Sequence, residues 1–420
     1  MKHLFLLAAR SAWNRRLTLG MTLIAITLSV TMLLGVERIR HDAREGFAQS
    51  VSGTDLIVGA RTSPVQLMLY AVFRIGEATN NMRWPSYLDL AANPDVAWAV
   101  PLSLGDSHRG FPVLGTSLGY FEHFRYGDDH PLRFVAGVPF KDVFDAVLGA
   151  EVAGQLGYKL GDRIVLTHGI GGIAGVEHAD KPFVVTGILA PTGTPVDRTV
   201  HISLAAMEAI HLDWQGGAPL PGFSIPQQFV QKFDLTPKEI TAVLVGLKSR
   251  VGVFKMQRFV ADYRNEPLLA VLPGVALSQL WQVMGTVEQA LLAVSAMVVA
   301  VGLAGLVAVV LAGLNERRRE LAILRSVGAR PGDVFMLLTL EGLFITLLGC
   351  VLGVALLALL SAAVGPLVQA RYGIEVVQRF VSAEELRLLA AVVFVGLAAS
   401  LVPGYRAYRL SLADGLTPRL

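Results

Sequence analysis

One cysteine, Cys350, occurs in 420 residues, and it lies inside an apolar run. No disulfide can form within the chain, so the fold cannot depend on oxidation. Charge is scarce too: 16% of residues are Asp, Glu, Lys or Arg, against about a quarter in ordinary soluble domains. The net charge of +3 is too small to argue for nucleic acid as a partner. No G-x-x-x-x-G-K-[ST] string occurs, so these residues contain no loop for cradling nucleotide phosphates. H-E-x-x-H is absent and no serine nucleophile elbow is expected, which leaves no enzyme site to propose.

Where charge is missing, long apolar runs take its place. Leu17 to Val36 is free of charge and is bounded by Arg15-Arg16 before it and Glu37-Arg38 after it. Its length matches a bilayer core of ~30 Å. It also exceeds the ~7–15 residues of a signal-peptide apolar region, so an uncleaved anchor is expected. Gln289 to Leu314 is a second uncharged run, long enough as a helix to reach ~39 Å and therefore to tilt or project. Val334 to Val368, interrupted by Glu341, is the third; Leu388 to Val402, extendable to Tyr405, is the fourth. The fold class expected is a membrane α-helical protein with four transmembrane helices and a large α+β extracytoplasmic domain inserted between the first and second.

Lysine and arginine set the orientation. Lys2, Arg10, Arg15 and Arg16 precede the first span, Arg317, Arg318, Arg319, Arg325 and Arg330 join the second to the third, and Arg406, Arg409 and Arg419 follow the fourth. Four spans put these segments on one side, the cytoplasmic one. The boundaries that follow are 1–16 for a cytoplasmic amphipathic segment, 17–36 for the first span and 37–285 for the outer domain with its helical stalks. The second span is 286–314, the cytoplasmic connection 315–333 and the third span 334–368. A short outer loop, 369–386, leads to the fourth span, 387–405, and a cytoplasmic tail, 406–420. Residues 1–16 read equally as a helix lying on the membrane surface or as an extension of the first span.

Within the outer domain, short β-patterned runs are punctuated by glycine and proline. Candidate strands are 55–60, 97–104, 111–117, 162–168, 183–190, 199–204 and 240–248, with helical stretches at Tyr87–Ala92 and Lys141–Gly149. Residues 212–237 read as an irregular flap. His168, Glu177, His178 and Asp180 flank GIGGIAGV (169–176), but their spacing matches no standard ligand pattern. An exposed hairpin is the expectation there, no metal site is assigned, and His201 and His211 read as ordinary surface or edge residues.

The segment NERRRELAILRSVGARPGDV (315–334) has an E-R-x-x-E start, alternating apolar residues and an R-x-x-G-A end. It resembles the cytoplasmic coupling segment of the MacB/FtsX-like permeases, the type VII ABC transporter group, through Glu316, Arg317, Glu320, Leu321, Leu324, Arg325, Gly328 and Ala329. Residues 113–121, 134–140, 147–166 and 183–204 resemble that family's periplasmic core domain. The resemblance implies a permease in the bacterial inner membrane with cytoplasmic termini and no cofactor of its own. ATP and Mg would be bound by a cytoplasmic ABC ATPase dimer made of separate polypeptides, beside a second permease subunit, identical or not. It also implies mechanotransmission, with a periplasmic cargo or adaptor as partner, or else a signal transmitter that moves no substrate and activates an extracytoplasmic enzyme. The residues themselves allow two readings of 315–333: i,i+3 pairs bracing a helix that docks a partner, or a tight basic hairpin that enforces topology. Glu341 would either couple to Arg325 or Arg330 or reach the headgroups. Gly349 and Gly353 form a small-xxx-small pair for helix packing, within one subunit or between two.

Overall fold

The computed structural model describes residues 16–50, 52–169, 177–215, 218–220, 224–316, 318–372 and 381–409. They fall into two compact units: a helical one drawn from 16–42, 285–367 and 381–409, and an α+β one drawn from 43–284.

Eleven strands form the main sheet of the α+β unit: β1 (Leu56–Ala60), β2 (Val96–His108), β3 (Phe111–Thr116), β4 (Phe134–Gly137), β5 (Asp145–Leu148), β6 (Arg163–Ile164), β7 (Thr167–His168), β8 (Phe183–Leu189), β9 (Val200–Ser203), β10 (Ala242–Leu247) and β11 (Leu268–Val271). Their spatial order is β11-β1-β10-β2-β3-β9-β5-β8-β4, with β7 paired to β2 and β6 to β8. Most pairs are antiparallel. The exceptions are β9 with β3 (Val200 opposite Val113) and β5 with β8 (Val184 opposite Asp145).

Side-chain alternation along each strand feeds separate apolar layers. Ile57 joins one core cluster with Leu67, Tyr70, Leu102 and Leu244. Its neighbours Leu56 and Val58 point the other way, toward Leu90, Val243 and Met256. A third cluster gathers Val113, Leu148, Val152, Phe183 and Ile202. Short helices cover the faces: α2 (Pro64–Ala71), α3 (Trp84–Ala91), α4 (Gly119–His123), α5 (Ala150–Leu156), α6 (Leu204–Ile210) and α7 (Val253–Ala261). Two start on serine caps, with Ser63 accepting from the Gln66 amide and Ser203 from the Ala206 amide.

The sheet ends at β4, four residues long. Its register with β8 shifts at Ile188/Leu189, and Gly137 there has φ +73°. Gly137 sits just past that shift, opposite Gly187, and a side chain there would run into the Thr186 carbonyl, so glycine alone fits.

One expectation fails. Lys141–Gly149 is not helical: 145–148 is strand β5, and the helix α5 follows it. The Asp145 carboxylate accepts from the Lys141 and Asp142 amides and turns the chain ahead of the strand. Because β5 is covered on both faces, with Val147 in one apolar cluster and Ala146 and Leu148 in another, all three are buried. A strand apolar on both faces carries no period by which to tell it from a buried helix. The other candidate strands recur with trimmed ends, except that 97–104 lengthens to Val96–His108 and 162–168 divides into β6 and β7.

Among the described residues, four helices are long and apolar enough to cross a membrane, at Arg16–Asp42, Pro273–Leu314, Pro331–Gly365 and Ala383–Arg409. They belong to α1 (Arg16–Gln49), α8 (Pro273–Glu316), α10 (Pro331–Tyr372) and α11 (Ala383–Arg409), with α9 (Arg318–Ser326) between α8 and α10. One core joins Ile26, Val30 and Leu34 of α1 with Leu306 and Leu314 of α8, Leu338 and Ile345 of α10, and Val392 of α11. Small residues set the spacing. A Cβ at Gly349 would lie 2.5 Å from Ile26 Cγ2, and one at Gly353 would lie 2.7 Å from Val30 Cγ1. At that approach Thr31 donates to the Gly353 carbonyl at 3.1 Å, and Ser29 donates to the Val298 carbonyl at 3.2 Å. Beyond the apolar core, Arg38 Nε donates to Glu385 Oε1 at 2.6 Å with both side chains buried, and Arg40 reaches Glu37 and Glu288. Glu385 also caps α11, accepting from the Ser382 amide while Ser382 Oγ accepts from the Glu385 amide.

Candidate functional site

Two places in the molecule hold side chains that packing alone does not explain. The first is the α8–α10 connection. α9 is a two-and-a-half-turn helix with Leu321 in the helical core and Ala322 buried next to it in sequence, each 7% exposed. On its other side Ile323 is 61% exposed, and just beyond its end Val327 is 83% exposed. The helix stops at Gly328, whose φ of +106° only glycine adopts without strain, and the Gly328 amide donates to the Arg325 carbonyl at 3.1 Å. Pro331 opens α10, and Asp333 Oδ2 accepts from the Arg330 amide at 2.8 Å. Of the residues singled out in sequence, Leu321, Arg325, Gly328 and Ala329 are brought onto this one short element. Arg317 and the side chains of Glu316, Glu320 and Leu324 lie outside the described residues. Glu341 is half-buried in α10.

The second place was not anticipated. Asp106 on β2 and His168 on β7 are register partners across two antiparallel strands. His178 arrives from the segment after the described part of that hairpin, its amide donating to the Leu166 carbonyl at 2.8 Å. His211 caps the C-terminus of α6. Their ligand-type atoms all lie within 4.8 Å of one another. His168 Nδ1 is 3.0 Å from Asp106 Oδ1 and 3.0 Å from His211 Nε2. His211 Nε2 is 3.5 Å, and His178 Nε2 3.8 Å, from Asp106 Oδ1. Trp214 packs against all three imidazoles, with centroid separations of 4.6 to 5.5 Å.

The electrostatics are those of a carboxylate held among imidazoles. Burial alone would raise the Asp106 carboxyl, but the contacts from His168, His178 and His211 outweigh it and hold it well below the usual range. Burial would lower His211; Asp106 and the Met207 carbonyl raise it instead. His178 is therefore no exposed hairpin residue, being 1% exposed, and His201 is no surface residue, being fully buried. Burial, aided by Arg74, pushes His201 down to about 3. Residues 170–176 lie outside the described residues. Asp180 stands apart from the cluster, pairing with Lys181 at 3.0 Å, and Glu177 is exposed.

One serine has the spacing of a nucleophile elbow, Gly115-Thr116-Ser117-Leu118-Gly119, on the turn from β3 to α4. It is not an elbow. Ser117 is absent from the residues with positive φ, so it lacks the strained backbone that lifts such a nucleophile clear of its sheet.

Four helices long and apolar enough to cross a membrane fit a membrane protein, and two family models match the chain. The family model for the MacB-like periplasmic core domain matches residues 19–248, and that for the FtsX-like permease C-terminal region matches 292–412. The chain belongs to the MacB/FtsX-like family of ABC transporter permeases. A curated relative, the macrolide export ATP-binding/permease protein MacB of Azoarcus sp. (strain BH72), is 25% identical over 350 residues, covering 80% of this chain and 48% of that protein. The chain thus spans about half the length of that relative. Two solved structures align with it. The periplasmic region of MacB from Actinobacillus actinomycetemcomitans does so with 11% identity and a TM-score of 0.33, over 55% of this chain and 94% of that one. The extracellular domain of the noncanonic ABC-type transporter YknZ from Gram-positive bacteria does so with 12% identity and a TM-score of 0.29, over 52% and 98%.

Proposed function

We propose that this chain is the membrane-spanning subunit of an ATP-driven ABC transporter working by mechanotransmission. ATPase domains that these 420 residues do not contain would dock from the cytoplasm on the α9 connection. Motion there would be carried to the α+β unit on the far side of the membrane, driving export, efflux or lipoprotein and lipid release. The observation that carries this reading is the two-sidedness of α9. Leu321 holds the element to the bundle, while Ile323 and Val327 stay exposed as large apolar side chains. A hairpin serving only to enforce topology has no use for them. Five arginines between 317 and 330 support the cytoplasmic side for this connection.

The test is purification of the tagged chain from its native membrane in mild detergent, with identification and ATPase assay of what accompanies it. A co-purifying ABC ATPase, lost in Val327→Asp and Ile323→Asp while each variant still inserts and melts as the parent does, is the expected result. Recovery of the same complex with both variants would overturn the docking assignment. Turnover that never responds to cargo, with an extracytoplasmic hydrolase in the complex, would favour the signal transmitter.

A further inference from the structure

We infer that Asp106, His168, His178 and His211 form a binding site for a divalent d-block cation of the zinc type, in the α+β unit. The inference stands on that unit alone and holds whichever activity the permease proves to have.

Geometry comes first. A tetrahedral site with metal–ligand bonds of about 2.0–2.1 Å has ligand–ligand edges of about 3.3 Å. Of the six separations, four are 3.0, 3.0, 3.5 and 3.8 Å, and all six lie within 4.8 Å. They straddle that value and converge from four separate pieces of chain.

Proton accounting points the same way. His211 Nδ1 lies 2.8 Å from the Met207 carbonyl, an acceptor, so Nδ1 carries the proton and the Nε2 lone pair faces the cluster. That is the tautomer a metal-ligating imidazole takes when its other nitrogen is held by a backbone carbonyl. A proton on His168 Nδ1 can bridge to Asp106 or to His211, and a plain hydrogen-bond network ends there. Asp106 Oδ2 and both ring nitrogens of His178 are buried without a hydrogen-bond partner among the described residues. Buried polar atoms are rarely left so. A cation at the centre would take up His178 Nε2 together with Asp106 Oδ1, 3.8 Å apart, a separation that no single bridging proton spans.

The donors set the class. Three imidazoles and one carboxylate suit Zn(II) and its borderline neighbours. Calcium and magnesium require oxygen-rich cages. Among the described residues no thiolate joins the cluster, which argues against soft Cu(I). Asp106 and His178 are sealed off, whereas the side chains of His168 and His211 are 34% and 26% exposed. The ion is therefore reached from solvent on the His168–His211 side and exchanges with the surrounding medium. Bound, it would tie together β2, β7, the segment at His178 and the end of α6.

The full chain, purified in detergent and stripped with chelator, is titrated with Zn(II) and, in parallel, with Co(II). The readouts are elemental analysis, visible absorption and thermal unfolding. Expected are about one zinc per chain, cobalt bands of a four-coordinate site displaced by zinc, and a melting temperature that rises with zinc. His178→Ala and Asp106→Asn should weaken binding by at least the roughly 10–100-fold that loss of an outer-shell partner already costs. His130→Ala, at an exposed histidine of another hairpin, should bind as the parent does. If His178→Ala does not fold, the partly exposed His168→Ala serves in its place. Zinc uptake no greater in the parent than in these variants overturns the inference. So does a six-coordinate cobalt spectrum, or binding of calcium or magnesium in preference to zinc.

Discussion

The helical unit and the α+β unit are both packed closely, but by different means. In the α+β unit large side chains meet in layers on either side of the sheet, and water drives them there. Helices in lipid gain little from that force, and α1, α8, α10 and α11 instead meet where small residues let backbones approach. Gly349 and Gly353 admit Ile26 and Val30, Gly396 admits Thr346, and Gly404 admits Thr339. Each unit also contains a buried ion pair, and these differ in the same spirit. Arg38–Glu385 is enclosed, with Glu385 committed at once to its partner and to the start of α11. Lys181–Asp213 in the α+β unit is backed by further donors and acceptors, including the Ile225 amide and the half-exposed Asp180. The lesson is that one lost atom should cost the helical unit more.

Breaking the pairs gives the largest effects. Glu385→Ala takes the carboxylate away from a buried guanidinium, and should cost about 3–5 kcal/mol by denaturation in detergent. The double variant Arg38→Met/Glu385→Leu should recover most of that. Lys181→Met should cost less, about 1–3 kcal/mol, because Asp213 keeps a backbone donor. Equal losses from the two single variants would break the comparison.

Glycine substitution sharpens it. Gly349→Leu forces α1 from α10 and should cost about 1–3 kcal/mol. A Cβ at Gly154 in α5 meets nothing within 4 Å, so Gly154→Ala should be neutral or stabilise by up to about 1 kcal/mol. Differential scanning of the two proteins separates these outcomes.

A further effect is pH-dependent and confined to the α+β unit. Burial, with Arg74 nearby, lowers the folded-state value of His201 to about 3. The unfolded chain therefore binds the extra proton, and the stability that His201 contributes is present above about pH 6.5 and is lost as pH falls toward 3, by at most about 1.4 kcal/mol per unit. His201→Asn, which keeps a donor for the Val147 carbonyl, should flatten the fall in melting temperature between pH 6.5 and 5. An unchanged slope would mean that His201 is not the group titrating.

Much of this architecture was legible because its physics is local. A span announces itself by uncharged length, and β8 by strict alternation of buried and half-buried residues from Phe183 to Leu189. The end of α9 is written in Gly328 and Pro331. β5 was misread because apolar layers on both of its faces erase its alternation. The histidine cluster was missed for the opposite reason, being wholly non-local: sheet pairing carries His168 to Asp106, and the helix ending at His211 adds the third element. Two of its members flank the GIGGIAGV stretch, and that proximity was the only hint. Its converse, that histidines without a local ligand spacing are ordinary, does not follow when the sheet is mixed.

The bulged end of the sheet has one more consequence. An open row of unpaired amides and carbonyls is a template on which another chain can add a strand, the first step toward aggregation. Strand β4 offers such a copy only four residues, a kink at Gly137 and then Pro139, which has no amide to donate. The features that make this strand an unpromising piece of sheet also make it a poor nucleus for self-association, so on this side the sheet is terminated by its own backbone.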